Sequence, residues 1–307
     1  MRYIVVIAGP TASNKSRIAI EVALRLNGEI VNADSRQFFK YMKIGTASPT
    51  DEEKRIVPHH LYNIFDPSYK VNAGLFVRMA DETIEEICQR GSLPIIVGGT
   101  GLYLKALLYG IAEIPDIPSE VRKKVRDTID TKGLEYCYGI LSSIDPQYSQ
   151  KISPSDRQRI ERALEVYYAT GERFSEFHKR HRFREKRYND ISIKIMLPRE
   201  SLYKRINERT RLIFNSGIID EARYLIENGY IDSFALDAIG YEEAYKYITN
   251  KISLTEAIEE TAKRTRNYAK RQMTWFKRFE GVEFKSIDDI ENIIQIVKNS
   301  ITKVCLE

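Results

Sequence analysis

The chain is poor in the residues that mark small secreted, metal-clustered or membrane-spanning proteins. It has three cysteines in 307 residues, Cys88, Cys137 and Cys305. They are far apart and odd in number, which excludes a disulfide framework and leaves no zinc-ligand spacing. Of its four histidines, His178 and His181 lie at helical spacing. No third ligand accompanies them, so a surface pair is expected rather than a metal site. No run approaches the ~20 apolar residues needed to cross a bilayer, and no membrane association is expected. The opening "MRYIVVIAGP" is too short and too soon interrupted for a signal peptide. A soluble chain in the cytoplasm is expected. No internal repeat or low-complexity tract is visible.

What is present is charge in two blocks. The formal net charge is only +5, and the apolar fraction of 43% is ordinary for a globular protein. However, "HKRHRFREKR" (178–187) holds six Lys/Arg and "KRTRNYAKRQMTWFKR" (263–278) holds seven. Either run alone reads as a solvated helix face. Two such runs beside a phosphate-loop candidate point to a polyanionic partner.

That candidate is "GPTASNKS", residues 9–16, directly after the apolar run "YIVVIA". The phosphate-loop pattern is G-x-x-x-x-G-K-[ST]. Gly9, Lys15 and Ser16 fall in place, with Pro10, Thr11, Ala12 and Ser13 between. Asn14 stands where the second glycine belongs. Among non-glycine residues, asparagine tolerates a left-handed backbone best, so a working loop is expected. Its N–H groups and Lys15 would hold an anion at a helix N-terminus, and Ser16 could hold Mg²⁺.

The surrounding pattern supports this placement. Residues 3–8 read as a buried strand, followed by a helix from about Lys15 to Leu26 with Ile18, Val22 and Leu26 inward. Asn27-Gly28 supplies its stop. "EIVNAD" predicts a strand ending at Asp34, and "LPIIVGGTG" one ending at Thr100, with a helix next. Alternation of this kind predicts a parallel α/β sheet flanked by helices. Ligands gather at the carboxyl ends of such strands, which would bring Gly9–Ser16, Asp34 and Thr100 to one edge. From Gly110 the texture changes. A charged helix is predicted over about 119–132, and another starts at Ser155 or Asp156 and stops at Gly171. We expect an inserted helical domain over about 111–189. "DISIKIMLP" (190–198) would return to the sheet, so the α/β core comprises 1–110 and about 190–307. A long helix is predicted over about 254–279.

Asp34, at a strand end near the loop, suits Mg²⁺ binding, proton acceptance or a simple turn. Thr100 suits a helix cap that also touches a ligand. Arg205 and Arg209 lie four apart and share a helix face, where they could meet an anion or only solvent. Lys263, Arg266, Lys270 and Lys277 recur at spacings of 3, 4 and 7, making a basic stripe suited to phosphates. Tyr268, Trp275 and Phe279 could stack on bases, but packing in the core is the expected role for most of them.

Together with "NADSRQ", "MKIGTASP", "VPHHLYNIFDP", "IVGGTGLYLKALLYG", "DRQRIERALEVYYATG", "AIGYEEA" and "YAKRQMTWFKR", the loop resembles the tRNA dimethylallyltransferases, also called isopentenyl-tRNA transferases. The resemblance runs in order over nearly the whole chain. It implies a P-loop kinase-like core with an inserted tRNA-binding helical domain. It also implies transfer of a dimethylallyl group from dimethylallyl diphosphate to N6 of the adenosine at position 37, next to the anticodon of tRNA. The loop would hold the diphosphate with Mg²⁺ assisting. Asp34 matches the proposed general base. Ser35, Arg36 and Gln37 complete a segment that meets the target base, and Thr100 and Arg122 match further positions for tRNA contact or catalysis. Gln158, Arg159, Ile160, Glu161 and Arg162 match another tRNA-contact segment. Two departures stand out: Asn14 for a glycine, and Ser48 for a common lysine. A monomer is expected. Prenylation of free adenine nucleotides, small-molecule phosphoryl transfer, and non-catalytic tRNA binding by a decayed loop are the rival readings. The basic insertion, the lack of a lid arginine cluster, and the retention of Lys15, Ser16, Asp34 and Thr100 argue against them in turn.

Overall fold

The computed structural model describes residues 3–181, 185–233 and 236–304. Cys305 lies outside them, as do residues 182–184 of the first basic run. The chain divides into two compact units, Met1–Leu108 with Lys186–Glu307, and Tyr109–Glu185.

In the first unit the elements before the break are β1 (Tyr3–Ala8), α1 (Lys15–Leu26), β2 (Gly28–Asn32), α2 (Asp51–Ile56), β3 (His59–His60), α3 (Ala73–Gln89), β4 (Leu93–Gly98) and α4 (Gly101–Tyr109). The second unit holds α5 (Ser119–Lys132), α6 (Leu134–Ile144), α7 (Pro146–Ser149), α8 (Arg157–Thr170) and α9 (Phe174–His181). The first unit then resumes with β5 (Asn189–Ile195), α10 (Arg199–Asn215), α11 (Ile218–Glu227), α12 (Tyr241–Ile248), α13 (Leu254–Phe276), β6 (Val282–Phe284) and α14 (Ile290–Val304).

The strands form one sheet in the order β3-β2-β4-β1-β5-β6, and every pairing is parallel. The fold is the α/β class that the strand–helix alternation predicts. Burial explains the strand composition: Ile4 to Ala8 are all fully inaccessible, as expected of a strand covered on both faces. Val5, Ile7, Ile95 and Ile193 pack with Ile18 and Val22 of α1, Leu202 and Ile206 of α10 and Val297 of α14. Each such side chain contributes about 1.5–3 kcal/mol relative to exposure. β5 does return to the sheet, pairing Tyr3 with Asn189 through Ala8 with Lys194.

Several boundaries differ from the sequence reading, for local reasons. The strand expected to reach Asp34 stops at Asn32. There the Asn32 side chain accepts from Asp34 N at 2.7 Å and donates to Leu61 O at 3.0 Å, so a side-chain turn replaces the ladder. The strand expected to reach Thr100 stops at Gly98. Asn27 alone takes the left-handed position that ends α1, with φ 50°, while Gly28 opens β2. The long helix ends at Phe276 rather than Phe279. Its last turn tightens through i→i+3 bonds, Arg278 N to Trp275 O and Phe279 N to Phe276 O. β3 and β6, of two and three residues, are too short to leave a pattern.

In the second unit, Val125, Ile129, Cys137, Leu141, Ile160 and Leu164 form a core of their own. Asp156 caps α8 by accepting from Arg159 N, and Gly171 closes it with φ 74°. A third cluster, around Phe39, Met42, Phe214, Ile218 and Tyr241, belongs to the first unit. It carries the segment 42–48. Glu221 of α11 accepts from the N–H groups of Lys43, Ile44 and Gly45 at 2.8, 2.8 and 3.1 Å and from the Tyr241 hydroxyl at 2.7 Å.

Candidate active site

The loop between β1 and α1 is shaped by close approach. A Cβ at Gly9 would stand 2.6 Å from the Ile195 carbonyl of β5, so only glycine fits. Asn14 has φ 73° and ψ 20°, the left-handed conformation expected of a glycine substitute. Its side chain does not cap α1. Instead its carbonyl oxygen accepts from Arg205 Nη2 at 3.2 Å, while Arg205 Nε donates to Ala12 O at 2.9 Å. Arg209 Nη1 donates to the Thr11 hydroxyl at 3.2 Å. The two arginines of α10 therefore brace the loop from one side.

Lys15 Nζ donates to Pro10 O at 2.7 Å. The side chain is half-buried, but its ammonium is enclosed, and burial pulls its pKa down to about 8. Asp34 opposes that shift and Arg209 adds to it. Burial also lowers the Arg209 pKa, yet a guanidinium stays charged at neutral pH. Lys15, Arg205 and Arg209 thus concentrate positive charge on a helix N-terminus, an arrangement that suits an anion.

Asp34 faces the same space. Its Oδ1 accepts from Arg36 N at 3.0 Å. The Thr100 hydroxyl accepts from Ser35 N at 3.0 Å and lies 3.4 Å from the Ser35 hydroxyl. Thr100 precedes α4, but its side chain is turned to the Asp34 segment rather than back over its own helix. Gln37 Nε2 donates to Thr46 O and Ala47 O at 3.1 and 2.9 Å, tying the segment to residues 46–48. Ser48 stands 3.0 Å from the Thr46 hydroxyl and accepts from Asn63 Nδ2 at 3.2 Å.

The loop, the Asp34 segment and residues 45–50 line a cavity of about 980 Å³, of which Thr100 is not a lining residue. Lys15, Ser16, Asp34, Arg36, Arg205 and Arg209 all line it. On α13 the lining face is Arg264, Tyr268 and Arg271. This face is distinct from the basic stripe expected to meet phosphates. Lys263 and Lys270 are exposed on the helix and Lys277 just past its end, and Arg266 donates to Asn207 at 2.5 Å. The stripe and the cavity face are neighbouring faces of one helix, so sequence spacing alone did not select the inner one. Burial, then Asp34, raises the Tyr268 pKa well above its ordinary value. Trp275 stacks on Phe279 at 5.5 Å, and Phe279 is buried, in keeping with core packing.

The remaining sequence candidates lie on the second unit. Arg122, Gln158 and Arg159 are exposed. Ile160 is fully buried, so its side chain packs the helical core and is not available to RNA. Glu161 pairs with Arg126 at 2.7 Å, Arg159 with Asp156 at 3.4 Å and Arg162 with Glu165 at 3.5 Å. The first basic run is less bare than it reads. Lys179 pairs with Glu176 at 2.7 Å and Arg180 with Glu172 at 2.8 Å, while Arg187, in the first unit, pairs with Asp81 at 2.6 Å. His178 packs its ring 4.4 Å from Phe174, so the expected surface pair is partly a packing pair. Among the described residues no group of three or more His, Cys, Asp or Glu could hold a metal, and no helix is long and apolar enough to cross a membrane.

The family profile described as IPP transferase matches residues 37–279. The chain belongs to the IPP transferase family. The match begins just after the loop and Asp34, which longer alignments include. A tRNA dimethylallyltransferase of Thermoanaerobacter sp. (strain X514) is 43% identical over 303 residues, covering 97% of this chain and 96% of the relative. That of Geobacter sulfurreducens is 42% identical, covering 92% and 91%. Among solved structures, the full-length tRNA isopentenylpyrophosphate transferase of Bacillus halodurans superposes with a TM-score of 0.72 at 35% identity, covering 99% and 98%. A eukaryotic dimethylallyltransferase acting on tRNA gives 0.79 at 30% identity, covering 91% of this chain and 71% of that one. As an IPP transferase family member, the protein is an enzyme, a prenyltransferase with a P-loop-like α/β fold.

Sequence reasoning did not single out Gln272, although it lies inside the quoted "YAKRQMTWFKR". Its side chain is buried and bonded at both ends. A lone glutamine in a basic run carries no periodic or charge signal.

Proposed function

We propose that this prenyltransferase moves the dimethylallyl group of dimethylallyl diphosphate onto N6 of the adenosine at position 37 in tRNA. The observation that carries the reading is one cavity lined by both the anion loop and Asp34. In the reaction a C–N bond forms at the allylic carbon as its C–O bond to diphosphate breaks. The N6 proton passes to the Asp34 carboxylate. Lys15, Arg205, Arg209 and loop N–H groups receive the negative charge that builds on the leaving diphosphate. The target base must be flipped out of its loop to enter. Tyr268 and Arg271, on the lining face of α13, offer it a ring and a guanidinium to stack on.

A divalent ion fits this loop. Ser16 lines the cavity at the start of α1, and the Ser13 hydroxyl is buried with no partner among the described residues. Magnesium is commonly held by one or two protein oxygens and the substrate's phosphates rather than a protein cage. Ser16 would be its protein ligand here. When bound it would neutralise part of the diphosphate charge.

In this reading residues 1–110 with about 190–307 are the catalytic core. The helical insertion, about 111–189, binds the anticodon stem-loop through Arg122, Gln158, Arg159 and Arg162. The exposed Lys263 and Lys270 meet tRNA phosphates. The enzyme works in the cytoplasm as a monomer. The test is incubation with dimethylallyl diphosphate, Mg²⁺ and unmodified tRNA, then nucleoside mass analysis. N6-isopentenyladenosine at position 37 is the expected product. Prenylation of AMP without tRNA modification would replace this reading with the free-nucleotide one.

A further inference from the structure

Three loops at the carboxyl edge of the sheet must keep register for the chemistry: the one after β1, the one after β2 carrying Asp34, and the one after β4 carrying Thr100. The last two are joined directly, because the Thr100 hydroxyl accepts from Ser35 N at 3.0 Å. The first is joined to the others through α13. The buried Gln272 amide accepts from Thr11 N at 2.9 Å and donates to Gly99 O at 2.9 Å. We infer that Gln272 is a positioning residue that holds the diphosphate loop in register with Thr100 and Asp34. The inference rests on the reading of the site given above.

The geometry leaves little slack. A Cβ at Gly99 would stand 2.5 Å from Gln272 Nε2, so the amide reaches the Gly99 carbonyl only because no side chain intervenes. Both ends of the amide are used, as a buried amide requires. Thr11 is also the residue whose hydroxyl receives Arg209. Loss of the bridge therefore frees both the loop backbone and one of its two arginine braces. Gln272 does not line the cavity itself; it acts through Thr11 and Gly99, and its side chain also hydrogen-bonds Tyr268 of the lining.

The test is steady-state kinetics and inorganic pyrophosphate binding in Gln272→Met, Gln272→Glu and Gly99→Ala. Methionine keeps the volume and loses both bonds. Glutamate keeps the acceptor for Thr11 N and loses the donor to Gly99. Alanine at 99 pushes the amide away from the opposite side. Misplacing reacting groups by about 1 Å can cost on the order of 10²-fold. We expect kcat to fall about 10–100-fold in Gln272→Met, and at least as far in the glutamate variant, whose buried carboxylate would face the Gly99 carbonyl. Pyrophosphate affinity should fall with it, while tRNA affinity stays within about twofold of wild type. Because Gly99→Ala breaks the same link, the double variant should be no worse than the poorer single one. A Gln272→Met enzyme with kcat and pyrophosphate affinity within about twofold of wild type would overturn the inference. So would multiplying losses in the double variant. Should Gln272→Met not fold, Gly99→Ala and Gln272→Glu carry the same comparison. If the wild-type enzyme prenylated no tRNA, the proposed function would fail, and pyrophosphate binding would still decide the bridge.

Discussion

Arg205 holds the Asn14 side chain at 3.2 Å, so the residue that replaces the loop's second glycine serves as an acceptor for a cation of α10. Two effects then oppose each other in Asn14→Gly. Relief of the left-handed strain favours the variant by about 1 kcal/mol. Loss of the bond to Arg205 costs about as much. KM for dimethylallyl diphosphate should therefore move by about 1 kcal/mol or less, roughly fivefold. Asn14→Ala keeps the strain and loses the bond, and should bind more weakly than either. A gain of several orders of magnitude in the glycine variant would mean that the natural loop is impaired.

Under the proposed function, Lys15 should set the pH range of substrate binding. Its pKa is about 8, so the ammonium is charged below that pH and neutral above it. A bound diphosphate raises that pKa. Affinity should accordingly be greatest below pH 8 and fall as the pH rises through it. Stability moves the other way. The folded pKa lies below the ordinary lysine value of 10.5, so unfolding takes up a proton between about 8 and 10.5, and the free protein gains stability over that window. KM against pH and thermal melting against pH check the two signs separately. Lys15→Ala should damage binding far more than any change at Asn14.

Asp34→Ala should lower kcat by about 10²–10⁴, the range for a lost general base. tRNA affinity should remain close to wild type, measured by filter binding. An unchanged kcat would leave Asp34 as the turn residue its bonds to the Asn32 side chain and to Arg36 N also allow.

tRNA affinity should fall steeply with salt. Replacing Lys263 and Lys270 by glutamine should reduce the slope of log K against log salt by about 0.7–0.9 for each lost phosphate contact. Arg266→Gln should do less, because that guanidinium is engaged with Asn207. An unaltered slope for the lysine pair would mean that this helix face looks only at solvent.

Periodicity and turn chemistry made the sheet order's ingredients legible. β1, α1, α5 and the caps of α8 lie where the spacing predicts, because each is decided by neighbours in sequence. The sequence placed Asp34 and Thr100 at the strand ends themselves, whereas both sit two residues further on. The Asn32 turn is local, two positions long, and went unread in "EIVNAD", whereas the close approach of Gly98 to Ala33 O is a tertiary fact with no local signature. The same holds for α13. Its basic spacing is visible, but which face turns inward depends on Gln272 reaching Thr11, a partner 261 positions away. Ile160 shows the converse error. A motif segment was read as a contact surface, although one of its five residues had to face the helical core.

The register of β1 has a consequence for biosynthesis. Tyr3–Ala8 is flanked by β4 on one side and by β5 on the other, and β5 emerges only after the whole helical unit has been made. At about 5–20 residues per second, roughly 10–40 s pass between the two strands. For that interval the first strand has no partner on one edge, and the anion loop lacks the Ile195 carbonyl against which Gly9 packs. The helical unit, built from contacts close in sequence, can fold on the ribosome in the meantime. Ribosome pausing or slow codons within Tyr109–Glu185 would therefore lengthen the exposure of the apolar N-terminal strand and raise its demand for chaperones.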